Sequence, residues 1–372
     1  MDHAEKIARL RLIRTKRLGP VTFTALLRRF GNGVDALAAI PELNRLSATP
    51  LKIATPQQVE EEINAAQSAG ADIYVKGEDG YPDAFMRFDD TPGCLTVKGH
   101  PHLLQKDSIA IVGSRNASAN AQTLAEMQAQ QISSRGFVIT SGMARGIDAA
   151  AHRGALNNGT VAVLAGGINA IYPKENTKLY EMIVDLGVVI SEMPFGTAPS
   201  SRMFPIRNRL ISALSLGVVV VEANLGSGSL ITARDAADRG LEVMAIPGSP
   251  LDPRAQGCNN LIRDGANLVQ TADDIVDLLQ RHQFQAKGDF DLKKTTQKQP
   301  LQTPEALLEA EKIITQHLSF TPTEVDELIR QCHLSASTVQ SALLKMELDG
   351  SIKRVFGNRV YRVFSDDRPL DL

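Results

Sequence analysis

Ile109 to Asp148 reads IAIVGSRNASANAQTLAEMQAQQISSRGFVITSGMARGID, and this stretch decides the fold. Four apolar residues, Ile109 to Val112, run directly into Gly113-Ser114-Arg115, and apolar residues at helical spacing follow from Asn120 to about Ser134. An unbroken apolar run, a tight turn and an amphipathic segment are the pattern of a buried parallel strand with its covering helix. Gly136 ends that helix, Phe137 to Thr140 forms a second apolar strand, and Ser141-Gly142-Met143-Ala144-Arg145-Gly146-Ile147-Asp148 makes a second glycine-bearing turn into another helix. Neighbouring parallel strands present their carboxyl ends on one side, where helix amino ends leave unpaired N–H groups and a partial positive charge. Two turns carrying Ser, Gly and Arg on one such edge predict a site for phosphate.

Towards the carboxyl terminus the pattern repeats as far as about Leu279. Strands are expected at 109–112, 137–140, 161–165, 188–191, 217–221 and 242–246, with helices near 120–134, 147–157, 175–186, 205–215 and 229–239. Alternation at this spacing is that of an α/β fold with a doubly wound, mostly parallel sheet of extended Rossmann type, in which the ligand lies beyond the strands' carboxyl ends. The residues just after each strand form a consistent set. They include Gly113, Ser114 and Arg115; Ser141, Gly142 and Arg145; Gly166 and Gly167 before Tyr172-Pro173-Lys174-Glu175-Asn176; and an acid-free run from Arg202 to Arg209 that contains Phe204, Arg207 and Asn208. Glu222 and Gly226-Ser227-Gly228-Ser229 follow the fifth strand, and Pro247-Gly248-Ser249 the sixth. Glycine lets backbone approach an anion, serine and N–H groups bond phosphate oxygens, and arginine binds them bidentately.

Individual members of this set have plainer readings. Asp148 reads as a cap or first-turn acid on the helix dipole. His152 has no second His or Cys at ligand spacing. Glu192 and Glu222 read as salt-bridge partners of the nearby arginines rather than an acid/base pair. Known nucleotide motifs are missing too. The first turn, G-S-R-N-A-S, lacks G-x-G-x-x-G, no G-x-x-x-x-G-K-[ST] occurs, and there is no G-x-S-x-G elbow. The rim can hold phosphates without evident catalytic machinery, and no catalytic residue, cofactor or metal is expected.

Composition agrees. The 372 residues suffice for two or three domains, and the net charge of −2 demands that any nucleic-acid site be local. Cys94, Cys258 and Cys332 are scattered and odd in number, which fits a reducing cytoplasm. The amino terminus, charged throughout, lacks the apolar core expected of a signal peptide, and no apolar run approaches a membrane span.

The flanks read as separate modules. Residues 1–68 are helical, with eight cations in the first thirty residues (Lys6, Arg9, Arg11, Arg14, Lys16, Arg17, Arg28, Arg29) and two short helices expected about Leu18-Gly19-Pro20, the second ended by Gly31-Asn32-Gly33. This resembles a helix-hairpin-helix or sterile-alpha-motif-like unit, and a solvated cationic face is preferred to backbone contact. Residues 69–280 form the sheet domain, with Ile73-Tyr74-Val75 as a lead-in strand, and 281–303 read as a flexible tether. Residues 304–372 read as three helices and a hairpin about Gly357-Asn358, a winged helix whose hairpin carries Lys353, Arg354, Arg359 and Arg362. Nucleic-acid contact through that hairpin and a protein-docking role stand side by side.

The words I-V-G-S-R (111–115), S-G-M-A-R-G-I-D (141–148), Y-P-K-E-N (172–176), S-E-M-P (191–194), F-P-I-R-N-R-L-I-S (204–212), S-G-S-L-I-T-A (227–233) and A-I-P-G (245–248) together resemble the DNA-processing protein A (DprA, or Smf) family. The resemblance implies a single-stranded DNA-binding recombination mediator, not an enzyme. In natural transformation such a protein protects incoming DNA and loads the RecA recombinase onto it, displacing single-strand-binding protein and acting as a dimer. It also implies contacts by Arg115 and Lys174. Gly113, Ser114, Ser141, Gly142, Arg145, Asn176, Arg207, Asn208 and Arg209 are added as expected phosphate contacts. Tyr172 and Phe204 are rim aromatics that can stack on a base or pack internally. The alternative is a Rossmann-type nucleotide-processing enzyme resembling the phosphoribohydrolases, whose P-G-G-x-G-T-x-x-E segment is matched only by Gly226 to Thr232, without the glutamate.

Overall fold

A computed structural model describes residues 1–45, 50–289, 304–355 and 359–363. Among the described residues, 1–68 hold the two helices expected about Leu18-Gly19-Pro20, α1 (His3–Ile13) and α2 (Pro20–Phe30), and two more, α3 (Gly33–Arg45) and α4 (Pro56–Ser68). Pro20 opens α2, where its missing N–H costs nothing, and Gly31 closes it at φ 86°. The third helix starts only three residues after α2 ends, and the intervening glycines read in sequence as a stop rather than a restart.

The sheet domain runs β1 (Asp72–Val75), β2 (Cys94–Gly99), β3 (Ser108–Val112), α5 (Ala119–Ser133), β4 (Val138–Ser141), α6 (Ile147–Ala155), β5 (Thr160–Leu164), α7 (Thr177–Leu186), β6 (Val188–Ser191), α8 (Met203–Leu214), β7 (Gly217–Val220), α9 (Ser229–Asp238), β8 (Glu242–Ala245), α10 (Gln256–Arg263), β9 (Asn267–Leu268) and α11 (Ala272–Asp289). Its nine strands stand in the order β1-β2-β6-β5-β4-β3-β7-β8-β9. From β6 to β9 every pairing is parallel, while β2 is antiparallel to both β1 and β6. The six expected strands and their helices are present. The sequence reading missed β2, whose buried Cys-Leu-Thr-Val lies between two proline-glycine punctuations that read as loop. It also missed β9 and α10.

Period-2 alternation sorts the strand side chains between two cores. Ala110 and Val112 face a cluster with Leu210, Ile211 and Leu230, whereas Ile109 and Ile111 face Ala125, Ile132 and Ala151. The segment 281–303, expected as a tether, is helical to Asp289 as the end of α11, and its remainder lies outside the described residues.

The carboxyl-terminal module comprises α12 (Pro304–His317), β10 (Thr323–Glu324), α13 (Val325–Cys332), α14 (Ala336–Leu348), β11 (Ile352–Val355) and β12 (Arg359–Arg362), with the three strands in the order β10-β12-β11. This is a winged helix around Leu307, Ile314, Leu328, Val339, Leu343 and Met346. The expected hairpin tip, Gly357-Asn358, lies outside the described residues.

Close approach of α5 and α6 rests on small residues: a Cβ on Gly154 would stand 2.1 Å from the Glu126 carbonyl oxygen. Gly154→Ala must therefore push α6 off α5. We expect a loss of about 1–3 kcal/mol, read as a lower urea midpoint at unchanged slope.

Candidate nucleic-acid interface

The first strand of the parallel run, β3, lies between β4 and β7, so the direction of winding reverses beside it. That is where a doubly wound sheet opens a crevice. The turn after β3 is held on both sides. Ser114 N–H donates to the Glu222 carbonyl at 2.6 Å, and the Ser114 carbonyl accepts from Ile147 N–H at 3.2 Å. Gly146 adopts φ 73°, and a Cβ there would meet the Ser114 and Arg115 carbonyl oxygens at 2.3 and 2.8 Å. The two glycine-bearing turns thus interlock through backbone, as their sequence placement predicts.

Beneath them lies a buried polar layer. Arg207, 5 % exposed, reaches across from α8 and donates to the carbonyls of Gly142 and Val163, the latter at 2.6 Å. Asp148, 6 % exposed, accepts from Gly142 N–H at 3.2 Å and Ala144 N–H at 3.3 Å. Burial pushes the Asp148 carboxyl up, opposed by the charge of Arg207 and the two N–H groups. Burial also lowers the Arg207 guanidinium to about 10, with Asp148 opposing the fall and Arg115 adding to it, so it stays charged at neutral pH. Asn176 donates its amide to the carbonyls of Met143 at 2.8 Å and Ala144 at 3.3 Å, fastening the 172–176 loop to the second turn. Ser141 Oγ donates to the Ile111 carbonyl at 2.6 Å.

Above this layer, the four segments bring a different set to the surface. Arg115 is exposed, its guanidinium carbon 5.0 Å from the centre of the Phe204 ring. Phe204 meets Tyr172 with centroids 5.5 Å apart at 56°, and Tyr172 is 49 % exposed. Lys174 is exposed, and Arg145 stands 3.9 Å from Glu175, close enough only for a weak, solvated attraction. Arg202 is exposed just before α8. Arg202 belongs to the acid-free run but is not among the expected contacts. The edge therefore offers four cations around an aromatic pair.

Several of the expected contact residues also have partners within the chain. Ser141 and Arg207 are spent on internal carbonyls, and Arg209 pairs with Glu192 at 2.6 Å while donating to the Asp90 carbonyl. The amide of Gly142 serves Asp148, and Asn208 donates to the Gly228 carbonyl at 3.3 Å. Gly113 is glycine for packing, since a Cβ would stand 2.6 Å from Ile147 and 2.9 Å from the Glu222 carbonyl oxygen. Asn176 ties loops together. Glu192 has the arginine partner expected of it, but Glu222 does not: its carboxylate accepts from Ser118 N–H at 3.0 Å and Ser118 Oγ at 2.7 Å, at the amino end of α5. In the winged helix, Arg354 is held by Glu347 at 3.3 Å and Gln340 at 3.1 Å, and Arg362 lies 5.5 Å from the Phe320 ring. Lys353 and Arg359 are the more exposed hairpin cations. At the α2–α3 hairpin, the N–H groups of Gly33 and Val34 donate to the Glu5 carboxylate at 2.7 and 3.1 Å, which fills the place a phosphate would take.

Among the described residues no acidic, His or Cys cluster could hold a metal, and the three cysteines are free and buried. No helix among them is long and apolar enough to cross a membrane.

An open, doubly wound sheet with a cationic, aromatic strand-end rim, joined to a helical module and a winged helix, defines a multidomain Rossmann-type protein with an anion-facing edge. The chain belongs to the DNA recombination-mediator protein A family, whose description matches residues 72–280. The DprA-like N-terminal HHH domain matches residues 3–65 and the DprA winged helix domain residues 298–358. Protein Smf of Escherichia coli is 38% identical over 283 residues, covering 75% of this chain and 74% of that one. DNA processing protein DprA of Streptococcus pneumoniae is 42% identical over 201 residues, 54% of this chain and 71% of its own. The X-ray structure of the pneumococcal protein superposes with a TM-score of 0.62 at 33% identity, covering 74% of this chain and 98% of that one. DNA processing protein A of Helicobacter pylori, described for its single-stranded DNA binding mode, gives 0.52 at 28% identity, with 56% and 96% covered.

The buried layer also holds His152, whose Nδ1 lies 2.7 Å from Thr160 Oγ1. That hydroxyl donates to the Ile139 carbonyl, so its oxygen accepts and Nδ1 carries the proton, while Nε2 is buried without a hydrogen-bond partner. Burial, with the charges of Arg207 and Arg153, lowers this imidazole to about 3. The unfolded chain takes up the proton near 6.5 and the folded one does not, so stability is full above that pH and falls below it, by up to about 1.4 kcal/mol per pH unit. Urea unfolding at about pH 7 and about pH 5 should show this slope, and His152→Gln should flatten it.

Proposed function

We propose that the chain binds single-stranded DNA along this rim and acts as a recombination mediator. The observation that carries the reading is the convergence of exposed Arg115, Arg145 and Lys174 on the Tyr172–Phe204 pair at the strand-end edge. Cations along a groove track a phosphate backbone, and aromatic faces accept unstacked bases, which only a single strand offers freely. Family membership supports the same role, as does the single-stranded DNA binding described for the Helicobacter pylori relative. By the same family resemblance, the partners are RecA, which the protein loads onto the strand, single-strand-binding protein, which it displaces, and a second copy of the chain. The setting is natural transformation in the cytoplasm.

The activity is binding rather than turnover. Glu222, the acid that a nucleotide-processing enzyme would need, is bonded to the α5 amino end and fills the position a nucleotide phosphate would seek. The buried Arg207 and Asp148 act as positioning residues, shaping the turns that carry Arg115 and Arg145.

The test is fluorescence anisotropy of labelled oligothymidine, against a duplex of equal length, with wild type and the Arg115→Ala/Lys174→Ala double variant. Wild type should prefer the single strand, and the variant should bind it at least tenfold more weakly. The slope of log affinity against log salt should shrink by about 0.7 for each phosphate no longer neutralised, about 1.4 for the pair. Unchanged binding in the variant, or preference for the duplex, would overturn the rim as the site.

A further inference from the structure

The third helix of a winged helix usually lies in the groove of a duplex, with its outward face reading the bases. Here α14 has two committed faces. Val339, Ala342, Leu343 and Met346 form one stripe and fill the core of the winged helix. Leu344 belongs instead to the apolar cluster of the amino-terminal helices, with Leu12, Leu18, Phe23, Leu26, Ala36, Ile40 and Leu51, and is 3 % exposed. Every other buried member of that cluster comes from the first 51 residues, so the helical module takes one core residue from the far end of the chain.

The polar neighbours of Leu344 agree with this. Gln340, Leu344 and Glu347 recur at helical spacing on one stripe, roughly a third of a turn from the stripe that fills the winged helix. Glu347 is hydrogen-bonded to the side chain of Thr22, a residue of α2 that is 2 % exposed. Its carboxylate also lies 3.3 Å from Arg354 Nε, and Arg354 in turn donates to Gln340 at 3.1 Å. The same stripe thus meets α2 through an apolar contact and a hydrogen bond, while Arg354 of the hairpin forms an ion pair with the half-buried acid. Met1–Val59 and the winged helix belong to one compact unit.

We propose that the winged helix is an intramolecular docking module: the outward stripe of α14 seats on α2, and the amino-terminal helices and winged helix form one clasp. In the docked state the Leu344–Glu347 part of α14 is covered. This inference does not rest on the rim, because it concerns residues of the other compact unit.

The test places cysteines at both sides of the contact, Thr22→Cys with Glu347→Cys, in the full chain, and pairs them directly as a disulfide with the small oxidant diamide, since Thr22 is itself buried. The three native cysteines are buried, and each single variant serves as a control. A link between the peptides holding positions 22 and 347, formed in the monomer at a yield independent of protein concentration, is the expected result. Adding Leu344→Asp should lower that yield at least fivefold, while hydrogen exchange in α13 stays as in the parent because Leu344 lies outside the winged-helix core. Absence of the link, a link whose yield rises with protein concentration, or a yield indifferent to Leu344→Asp would each overturn the clasp. Should Leu344→Asp unfold the module, Thr22→Arg on the opposite side, scored by the exposure of α14 amides to exchange, decides the matter: faster exchange supports docking and unchanged exchange refutes it.

Discussion

A buried guanidinium holds the rim together. Arg207 crosses from α8 to the carbonyls of Gly142 and Val163, so one side chain fixes the ends of β4 and β5 relative to each other. Its charge is tolerable because Asp148 stands nearby and because the carbonyls take the place of water. Asp148 in turn gathers the amides of the second turn, which orients Arg145 outward. Removing either partner would strand a charge in the interior, where an uncompensated one costs about 3–5 kcal/mol. The pair therefore acts as a fastening between three loops, and the surface chemistry depends on it.

This arrangement divides the labour between depth and surface. Depth supplies geometry through the buried Arg207, Asp148 and Ser141, with the half-buried Asn176 fastening one loop to the next. The surface supplies contacts through side chains that are long, charged or aromatic and keep their outer ends in water. Such a division suits the single-strand binding proposed above: the frame is held from within, whereas cations and rings make contacts tolerant of what lies between the phosphates. Glu5 and Glu222 add to this by exclusion. Each carboxylate occupies backbone N–H that would otherwise be open to an anion.

Most of the sheet could be read from sequence because parallel strands buried on both faces leave long apolar runs, and glycine-serine turns mark their ends. β2 was hidden because four buried residues between two proline-glycine turns carry no periodicity of their own. In the site, residue type pointed to the correct edge but could not tell depth. Arg115 and Arg207 look alike in sequence, and only the crossing of α8 over the β4 and β5 ends makes the second one internal. The same limit applies to Glu222, whose partner proved to be the hydroxyl and amide of Ser118, the last residue of the first turn, rather than an arginine. Leu344 was equally hidden: a leucine one residue away from a core position reads as part of the same stripe until its neighbours are known.

Leu344 has one further consequence, for the integrity of the chain. With the last module seated on the first helices, the polypeptide closes on itself through a non-covalent seam, and the sequence of the sheet domain falls inside the loop so formed. Closing so long a segment carries an entropic cost that grows only slowly with length, so a modest seam can hold it. A cut between the sheet domain and α12 would remove that linkage, and a seam of one leucine and one hydrogen bond, no longer held at high local concentration, would let the winged helix leave.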